Sequence, residues 1–165
     1  MTERFKELYK HVLKWEGGDK LHNVSGDTGG WTKYGIAYNF NKQHFKSLDE
    51  FKNMTFDKAA EITYNNYYLP LSLDRVKKES QAMFFDMAFN MGVKRAVILA
   101  QRALGIDDDG ILGKESKSKL PNLSKQELYN QRVKYYNSIV TNNPTQKKFL
   151  NGWLNRSDYY LKEKI

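Results

Sequence analysis

The feature that most constrains this chain is a glycine-rich stretch, residues 15–36 (WEGGDKLHNVSGDTGGWTKYGI), directly after an amphipathic segment. Apolar residues upstream recur at three- and four-residue spacing, which predicts a helix: Phe5, Leu8, Tyr9, Val12 and Leu13. Gly17 and Gly18 predict its end, because glycine readily adopts the left-handed conformation found at helix C-termini. Glu16 is therefore expected in the last turn, where the negative end of the helix dipole favours the protonated form of a carboxyl group.

Residues 19–40 are predicted to form a small, irregular β-hairpin lobe. The segment is rich in Gly, Asn, Asp, Ser and Thr, and residues 25–27 and 29–30 have typical turn compositions. Residues 31–36 alternate in the manner of a strand. No other part of the sequence predicts β structure.

From Leu48 onward the pattern is helical. Thr55 is a predicted N-cap for a helix that Pro70 limits, since proline cannot continue a helix interior. Longer helices are predicted over about residues 74–91 and 94–104, and a glycine follows each of them.

The C-terminal third predicts two further helices. Ser124 and Glu127 form a capping box for the first, and Pro144 ends it. The second carries the apolar residues Phe149, Leu150, Trp153 and Leu154. The predicted fold class is mainly α, a helical bundle with one small β-hairpin lobe. Because the sequence contains no flexible linker or fixed-period repeat, a single domain over residues 1–165 is predicted.

Composition narrows the class of protein further. A net charge of +8 favours polyanionic surroundings, which include nucleic acids, anionic lipid headgroups and bacterial wall polymers. The absence of cysteine excludes disulfides, thiolate metal sites and a thiol nucleophile. No apolar run approaches the length that spans a bilayer, so no membrane insertion is expected.

The sequence predicts no metal site and no cofactor. His11, His22 and His44 show no i, i+4 pairing or HExxH arrangement, although His22 lies within the glycine-rich stretch. Residues 107–110 (DDDG) do not fit an EF-hand, because the loop would begin at Gly105 and end at Ser116, and neither is a carboxylate. A turn between helices explains this segment better.

The glycine-rich stretch also contains the residue types that glycoside hydrolysis requires. An acid must protonate the leaving oxygen, and a second carboxylate usually activates water or attacks the anomeric carbon. Glu16, at a helix end beside Trp15, suits the acid, and Asp27, on a polar turn, suits the ionised partner. Thr32 is placed to hold a water between them. The spacing alone is more typical of ordinary structural positions, with Glu16 facing solvent and Asp27 stabilising its own turn.

These residues resemble the signature of glycoside hydrolase family 108, a group of phage endolysins and bacterial muramidases with a lysozyme-like fold. The match comprises residues 16–18 (EGG), Asp27, residues 29–30 (GG) and residues 32–36 (TKYGI). The resemblance implies an α+β lysozyme-like fold in which the hairpin forms one wall of a substrate cleft. It also implies that the glutamate of the EGG motif, here Glu16, is the catalytic acid.

Phage-type lysozymes share a looser order of Glu, Asp and Thr across the same hairpin, which maps onto Glu16, Asp27 and Thr32 with different spacing. Two positions depart from the usual family pattern. Asp19 stands where an aromatic residue commonly follows EGG, and Thr28 stands where proline often follows the aspartate. Both changes bear on the hairpin or on sugar preference.

A second stretch resembles the predicted peptidoglycan-binding region of the same family. It comprises residues 88–92 (AFNMG), 100–105 (AQRALG) and 109–113 (DGILG). The resemblance divides the domain into a catalytic part, residues 1–92, and a helical, peptidoglycan-binding-like part, residues 93–165. Asp86 and Asn90 are candidate groove residues facing the sugar, or else polar positions that satisfy backbone groups near a helix end.

Trp31 and Tyr34 are the preferred candidates for stacking on sugar rings, because a hairpin lip leaves side chains facing outward. Tyr67, Tyr68 and Trp153 are weaker candidates, since aromatic residues at helical spacing usually belong to a core. Lysines are spread over every segment, which is typical of a generally basic surface rather than a nucleic-acid-binding stripe.

The functional hypothesis is hydrolysis of the β-1,4 bond between N-acetylmuramic acid and N-acetylglucosamine in peptidoglycan. A lytic transglycosylase acting on the same bond and a non-catalytic wall-binding module are the alternatives, and a nucleic-acid-binding protein is a weaker one. The expected partner is bacterial peptidoglycan, and the expected state is a monomer. The N-terminus lacks the apolar core of a secretory signal, so synthesis in the cytoplasm and release to the wall by a holin or a dedicated export system are expected.

Overall fold

The computed structural model describes residues 1–23 and 28–165. The chain divides into two compact units, Met1–Asn66 and Tyr67–Ile165. The described elements are mainly helical, with one small antiparallel sheet in the first unit. None of the described helices is long and apolar enough to cross a membrane.

The first unit begins with helix α1 (Glu3–Leu13), which Thr2 caps by accepting a hydrogen bond from the Phe5 backbone N–H. Its apolar face is buried as the spacing predicts, through Phe5, Leu8, Tyr9 and Val12. Helices α2 (Tyr38–Asn41), α3 (Leu48–Lys52) and α4 (Phe56–Thr63) complete the unit. Thr55 caps α4 as predicted, and a π-helical turn (Tyr64–Tyr68) follows before Pro70.

The β lobe has three short strands rather than a simple hairpin: β1 (His22–Asn23), β2 (Trp31–Lys33) and β3 (Ile36–Ala37), in the order β1-β2-β3. Lys33 pairs with Ile36, so only Tyr34 and Gly35 connect β2 to β3. Both have positive φ, 52° and 73°. This is the combination that a type I′ hairpin turn requires, and glycine at the second position makes it accessible. The turn places Ile36 in the core of the unit, against Phe51 and Ile62.

The second unit is organised around helix α5 (Lys78–Met91). The helix predicted to begin near residue 74 begins at Lys78 instead. Ser72 takes a left-handed conformation and Val76 an extended one, and together they interrupt the helical hydrogen bonds on either side of a 3-10 turn, Leu73–Arg75. From Ala82 to Ala88 every residue of α5 is buried, which is typical of a central helix covered on all sides.

Three helices pack on α5: α6 (Val93–Leu104), α8 (Lys125–Asn142) and α9 (Lys147–Lys162). The short helix α7 (Lys114–Lys119) lies between α6 and α8 in the sequence. Gly105 ends α6 in the left-handed conformation, and the Ser124 side chain caps α8, both as predicted. Trp153 of α9 stacks on Tyr136 of α8 at a centroid distance of 5.1 Å and is therefore a packing residue.

Candidate active site

Glu16 lies on the turn that follows α1, not in the last turn of the helix, because the α-helical bonding ends at Leu13. The Glu16 backbone N–H donates to the Leu13 carbonyl at 3.2 Å, and the Gly18 N–H donates to the same carbonyl at 3.2 Å. The second bond closes a helix end through a left-handed glycine, and Gly17 has φ 77°. The glycines therefore end the helix as expected, and they hold Glu16 half-buried at the surface of the unit.

The turn that carries Glu16 is attached to the β lobe by backbone and side-chain hydrogen bonds. The Tyr34 N–H donates to the Gly18 carbonyl at 3.1 Å. The Tyr34 carbonyl in turn accepts a hydrogen bond from the hydroxyl of Tyr9 at 3.0 Å, and Tyr9 is fully buried in α1. Glu16 and the β2–β3 turn are thus held on one framework. The helical spacing assigns Tyr9 to the apolar face but gives no sign of this second role.

Asp27 lies outside the described residues, so its role as the ionised partner stays a prediction. The residues directly after it are held by Asn39, a residue that no sequence motif marks. The Asn39 side chain donates to the Thr28 carbonyl at 2.9 Å, and its backbone N–H donates to the Gly29 carbonyl at 3.1 Å. A Cβ at Gly30 would lie 2.8 Å from Asn39 Nδ2 and φ is 67°, so a larger residue here would displace the Asn39 amide and strain the backbone.

Thr32 occupies the centre of β2 and pairs with both neighbouring strands, with His22 on one side and Ala37 on the other. Residues directly opposite each other share a face of a sheet, so His22, Thr32 and Ala37 define one face of the lobe. The Thr32 hydroxyl donates to the Gly30 carbonyl at 3.4 Å and is half-buried. Its oxygen keeps acceptor capacity for a water or a sugar hydroxyl on that face.

 Trp31 and Tyr34 were expected to face outward from a hairpin lip, but both are half-buried and pack against the core of the first unit. Lys52 Nζ lies 4.6 Å from the Trp31 ring centroid, and Tyr34 meets Phe56 edge-on at 6.0 Å. Trp31 precedes Thr32 in the strand, so its side chain projects from the opposite face of the sheet. That face is the one turned toward the core.

Asp86 also requires a correction, because it does not face a groove. Its side chain is 0 % exposed, and its two carboxylate oxygens accept hydrogen bonds from Arg132 and Arg156, each at 2.7 Å. Arg132 is itself fully buried. A carboxylate enclosed by two guanidinium groups has no free oxygen to offer a sugar. Asp86 therefore compensates buried positive charge inside the second unit.

Asn90, one turn after Asp86, is exposed and remains a candidate for contact with substrate. Its side-chain oxygen accepts a hydrogen bond of 2.6 Å from the hydroxyl of Tyr136. Burial raises the pKa of Tyr136, so the phenol stays protonated and able to donate. This bond fixes the orientation of the Asn90 amide and leaves its NH₂ group directed away from Tyr136.

Comparison with known proteins places these features in a family. The model described as Glycosyl hydrolase 108 matches residues 9–92, and the model described as Predicted Peptidoglycan domain matches residues 95–158. Among solved structures, that of Brucella abortus SagA is similar, with 26% sequence identity and a TM-score of 0.78 over 95% of this chain and 91% of that chain. No curated protein matches the chain.

The fold agrees with that assignment. The mainly α, lysozyme-like class with one small β lobe is confirmed by the element order and by the likeness to SagA. The first family match contains Glu16, the β lobe and helix α5, and the second contains most of helices α6 to α9. Because the first match covers just over half of the chain, the protein belongs to glycosyl hydrolase family 108, and it is a glycoside hydrolase with peptidoglycan as its partner.

Proposed function

We propose that this protein is an N-acetylmuramidase that hydrolyses the β-1,4 bond between N-acetylmuramic acid and N-acetylglucosamine, with Glu16 as the general acid. The observation that carries the proposal is the placement of Glu16 on a half-buried turn bonded to the β lobe through Gly18 and Tyr34. A general acid must be held at one position relative to the glycosidic oxygen, and this framework supplies such a position.

In the proposed reaction the protonated Glu16 carboxyl group donates its proton to the glycosidic oxygen. The bond between that oxygen and the anomeric carbon breaks, and positive charge develops on the sugar ring. Water then adds to the anomeric carbon, and the proton that it loses restores the protonated Glu16 directly or through solvent. Asp27 is proposed to stabilise the positive charge or to orient this water. The products are two shorter glycan chains, one of which ends in a reducing N-acetylmuramic acid.

Thr32 is proposed to assist by holding the attacking water. Its hydroxyl lies on the sheet face that also carries His22 and Ala37, whereas Trp31 projects from the other face and packs inward. The sugar chain is therefore proposed to run along the Thr32 face. Trp31 and Tyr34 are assigned no sugar-stacking role, because their half-buried rings pack against the core.

The first test replaces the Glu16 carboxyl group with an amide of the same shape. Glu16→Gln should release soluble muropeptides from purified wall at least 100-fold more slowly than the wild type, within the range of general acid catalysis of about 10²–10⁴. Glu61→Gln is the matched control, because Glu61 is exposed and forms a surface ion pair with Lys58. Its rate should stay within twofold. A rate within a few-fold of wild type for Glu16→Gln would remove this residue from the acid role.

The chemistry of the released fragments tests the reaction itself. Mass spectrometry should find a reducing N-acetylmuramic acid end, because water is the proposed acceptor. A 1,6-anhydro end would instead show intramolecular attack and would reassign the protein as a lytic transglycosylase. A reducing N-acetylglucosamine end would show cleavage of the other glycosidic bond.

A further inference from the structure

The second unit contains a cavity of about 580 Å³ that the proposed reaction does not use. It is lined by Arg75, Leu112, Gly113, Lys114, Lys117 and Ser118. Three of these six residues carry a positive charge, and none carries a negative charge. They come from two distant segments, the 3-10 turn before α5 and the start of α7.

The three cations of this basic cavity are not neutralised by partners within the described residues. Ion pairs of the second unit join Arg102 to Asp108 and both Arg132 and Arg156 to Asp86. None involves Arg75, Lys114 or Lys117. Positive side chains grouped around a concavity raise the local potential and attract an anionic group more strongly than the same charges spread over a convex surface.

One wall of the cavity is held in place by Gln101, a buried residue of α6. Its side-chain nitrogen donates to the Ile111 carbonyl at 3.0 Å and to Asp109 Oδ1 at 2.8 Å, and its oxygen accepts from the Gly110 N–H at 2.8 Å. The same nitrogen lies 3.1 Å from the hydroxyl of Ser116 in α7. One side chain thus fixes both the loop before Leu112 and the helix that carries Lys114 and Lys117.

The segment that carries Arg75 is held by a second glutamine, Gln81 of α5. Its side-chain nitrogen donates to the Leu73 carbonyl at 2.9 Å and to the Val76 carbonyl at 3.0 Å. These two carbonyls bracket Arg75 in the sequence. Because both walls are fixed by buried or half-buried side chains, little ordering of the backbone is required when a ligand binds.

The carboxylates near the basic cavity favour a peptide ligand over an extended polyphosphate. The neighbouring cavity shares Gly113 and Lys114 but is also lined by Asp107, Asp109 and Glu115. Hydrogen bonds from the Gln101 side chain and the Ile111 backbone hold the pKa of Asp109 below its ordinary value, so this carboxylate is charged at neutral pH. An extended polyphosphate running past the basic cavity would meet these carboxylates. A peptide that carries carboxylates and an ammonium group would not be repelled in the same way.

We propose that the basic cavity binds a carboxylate of the peptide stem of peptidoglycan, with Arg75 as the bidentate partner and Lys114 and Lys117 as supporting charges. A guanidinium group matches the two oxygens of a carboxylate, and Leu112 offers an apolar contact for an adjacent side chain. The inference rests on peptidoglycan being the substrate, as proposed above. It adds a second point of attachment that recognises the peptide rather than the sugar.

The test is a titration of the full chain with a synthetic stem tetrapeptide, followed by NMR chemical shifts at low ionic strength. The peptide has no glycosidic bond, so binding is measured whether or not Glu16 is the acid. The wild type should bind the peptide with shifts centred on residues 112–118, and the same peptide with amidated carboxylates should bind at least tenfold more weakly. The double variant K114Q/K117Q should also lose at least tenfold in affinity, as should Arg75→Gln.

The matched control is the double variant K119Q/K147Q, which removes two charges from exposed positions that do not line the cavity. Its affinity should stay within twofold. Absence of peptide binding by the wild type, equal binding of the amidated peptide, or equal losses in both double variants would overturn the inference. Tighter binding of a poly(glycerol phosphate) oligomer than of the peptide would also overturn it. Wall cleavage without peptide binding would refute the cavity's role alone, whereas peptide binding without cleavage would refute the proposed function alone.

Discussion

In the unit Met1–Asn66 the candidate acid, Glu16, lies on a turn that backbone hydrogen bonds attach to a sheet of very short strands. In the unit Tyr67–Ile165 the buried carboxylate of Asp86 lies inside a helical bundle. Glu16 is half-buried, on a turn whose backbone hydrogen bonds to Leu13 hold it in place. Asp86 is fully buried between two arginines. The two carboxylates of this chain therefore lie in different environments, Glu16 near solvent and Asp86 away from it.

This difference in environment predicts how each unit responds to substitution. A site built from glycine turns depends on backbone conformation, so small changes there should alter activity more than stability. A bundle built around a buried charge cluster depends on complete pairing, because an uncompensated buried charge is costly. Changes at that cluster should alter stability first. Three measurements test this contrast, in order of decreasing expected effect.

The largest effect is expected from Asp86→Asn. Removing the carboxylate leaves Arg132 and Arg156 buried without a counter-charge, which should lower the free energy of unfolding by about 3–5 kcal/mol in a urea titration. Asp108→Asn is the control, because the side chains of Arg102 and Asp108 are 47% and 39% exposed, and the loss should be under about 1 kcal/mol. Normal stability with lost turnover would contradict the comparison and return Asp86 to a sugar-facing role.

A smaller effect, on turnover rather than stability, is expected from Thr32→Val. Valine keeps the branched shape that suits a strand but lacks the hydroxyl, so wall cleavage should slow by about tenfold, or roughly 1.4 kcal/mol of activation free energy. Thr32→Ser keeps the hydroxyl and should retain activity within about threefold. Equal rates for the valine variant and the wild type would exclude a water-holding role for Thr32.

The smallest effects are expected at two glycines, and they have opposite signs. Gly17→Ala should destabilise the first unit by about 1 kcal/mol, because φ is 77° and a side chain is strained there even though the added Cβ meets no atom within 4 Å. Gly152→Ala should stabilise the second unit by about 0.5–1 kcal/mol, because Gly152 lies inside α9 and alanine favours helix. Thermal unfolding would measure both, and equal signs would refute the distinction between turn and helix positions.

Several features of the fold follow from local pattern and were predicted on that basis. The caps at Thr55 and Ser124 and the left-handed stops at Gly17 and Gly105 are decided by groups close together in the chain. Family resemblance then supplied the fold class and the enzyme class, which the family match and the likeness to SagA confirm. The roles of Glu16, Asp27 and Thr32 remain predictions with named tests.

Two differences between the expected and the observed burial share a physical cause. Apolar periodicity along residues 74–91 predicts one buried face, but α5 is covered on nearly every side, and that coverage depends on α6, α8 and α9. Alternation along β2 predicts two faces but does not show which face meets the core, and the structure packs Trp31 against the core. A sequence pattern gives the spacing of buried residues, whereas the packing partners decide which faces of a helix or strand are buried.

By itself the sequence determined where the chain turns, where most helices begin and end, and that a glutamate follows the first helix among glycines. Those properties depend on backbone preferences within a few residues. Only the tertiary structure decided that Tyr34 and Gly18 bind the Glu16 turn to the β lobe, that Asp86 meets two arginines from α8 and α9, and that Arg75 shares a cavity with Lys114. These contacts join residues far apart in the chain, and no local preference encodes them.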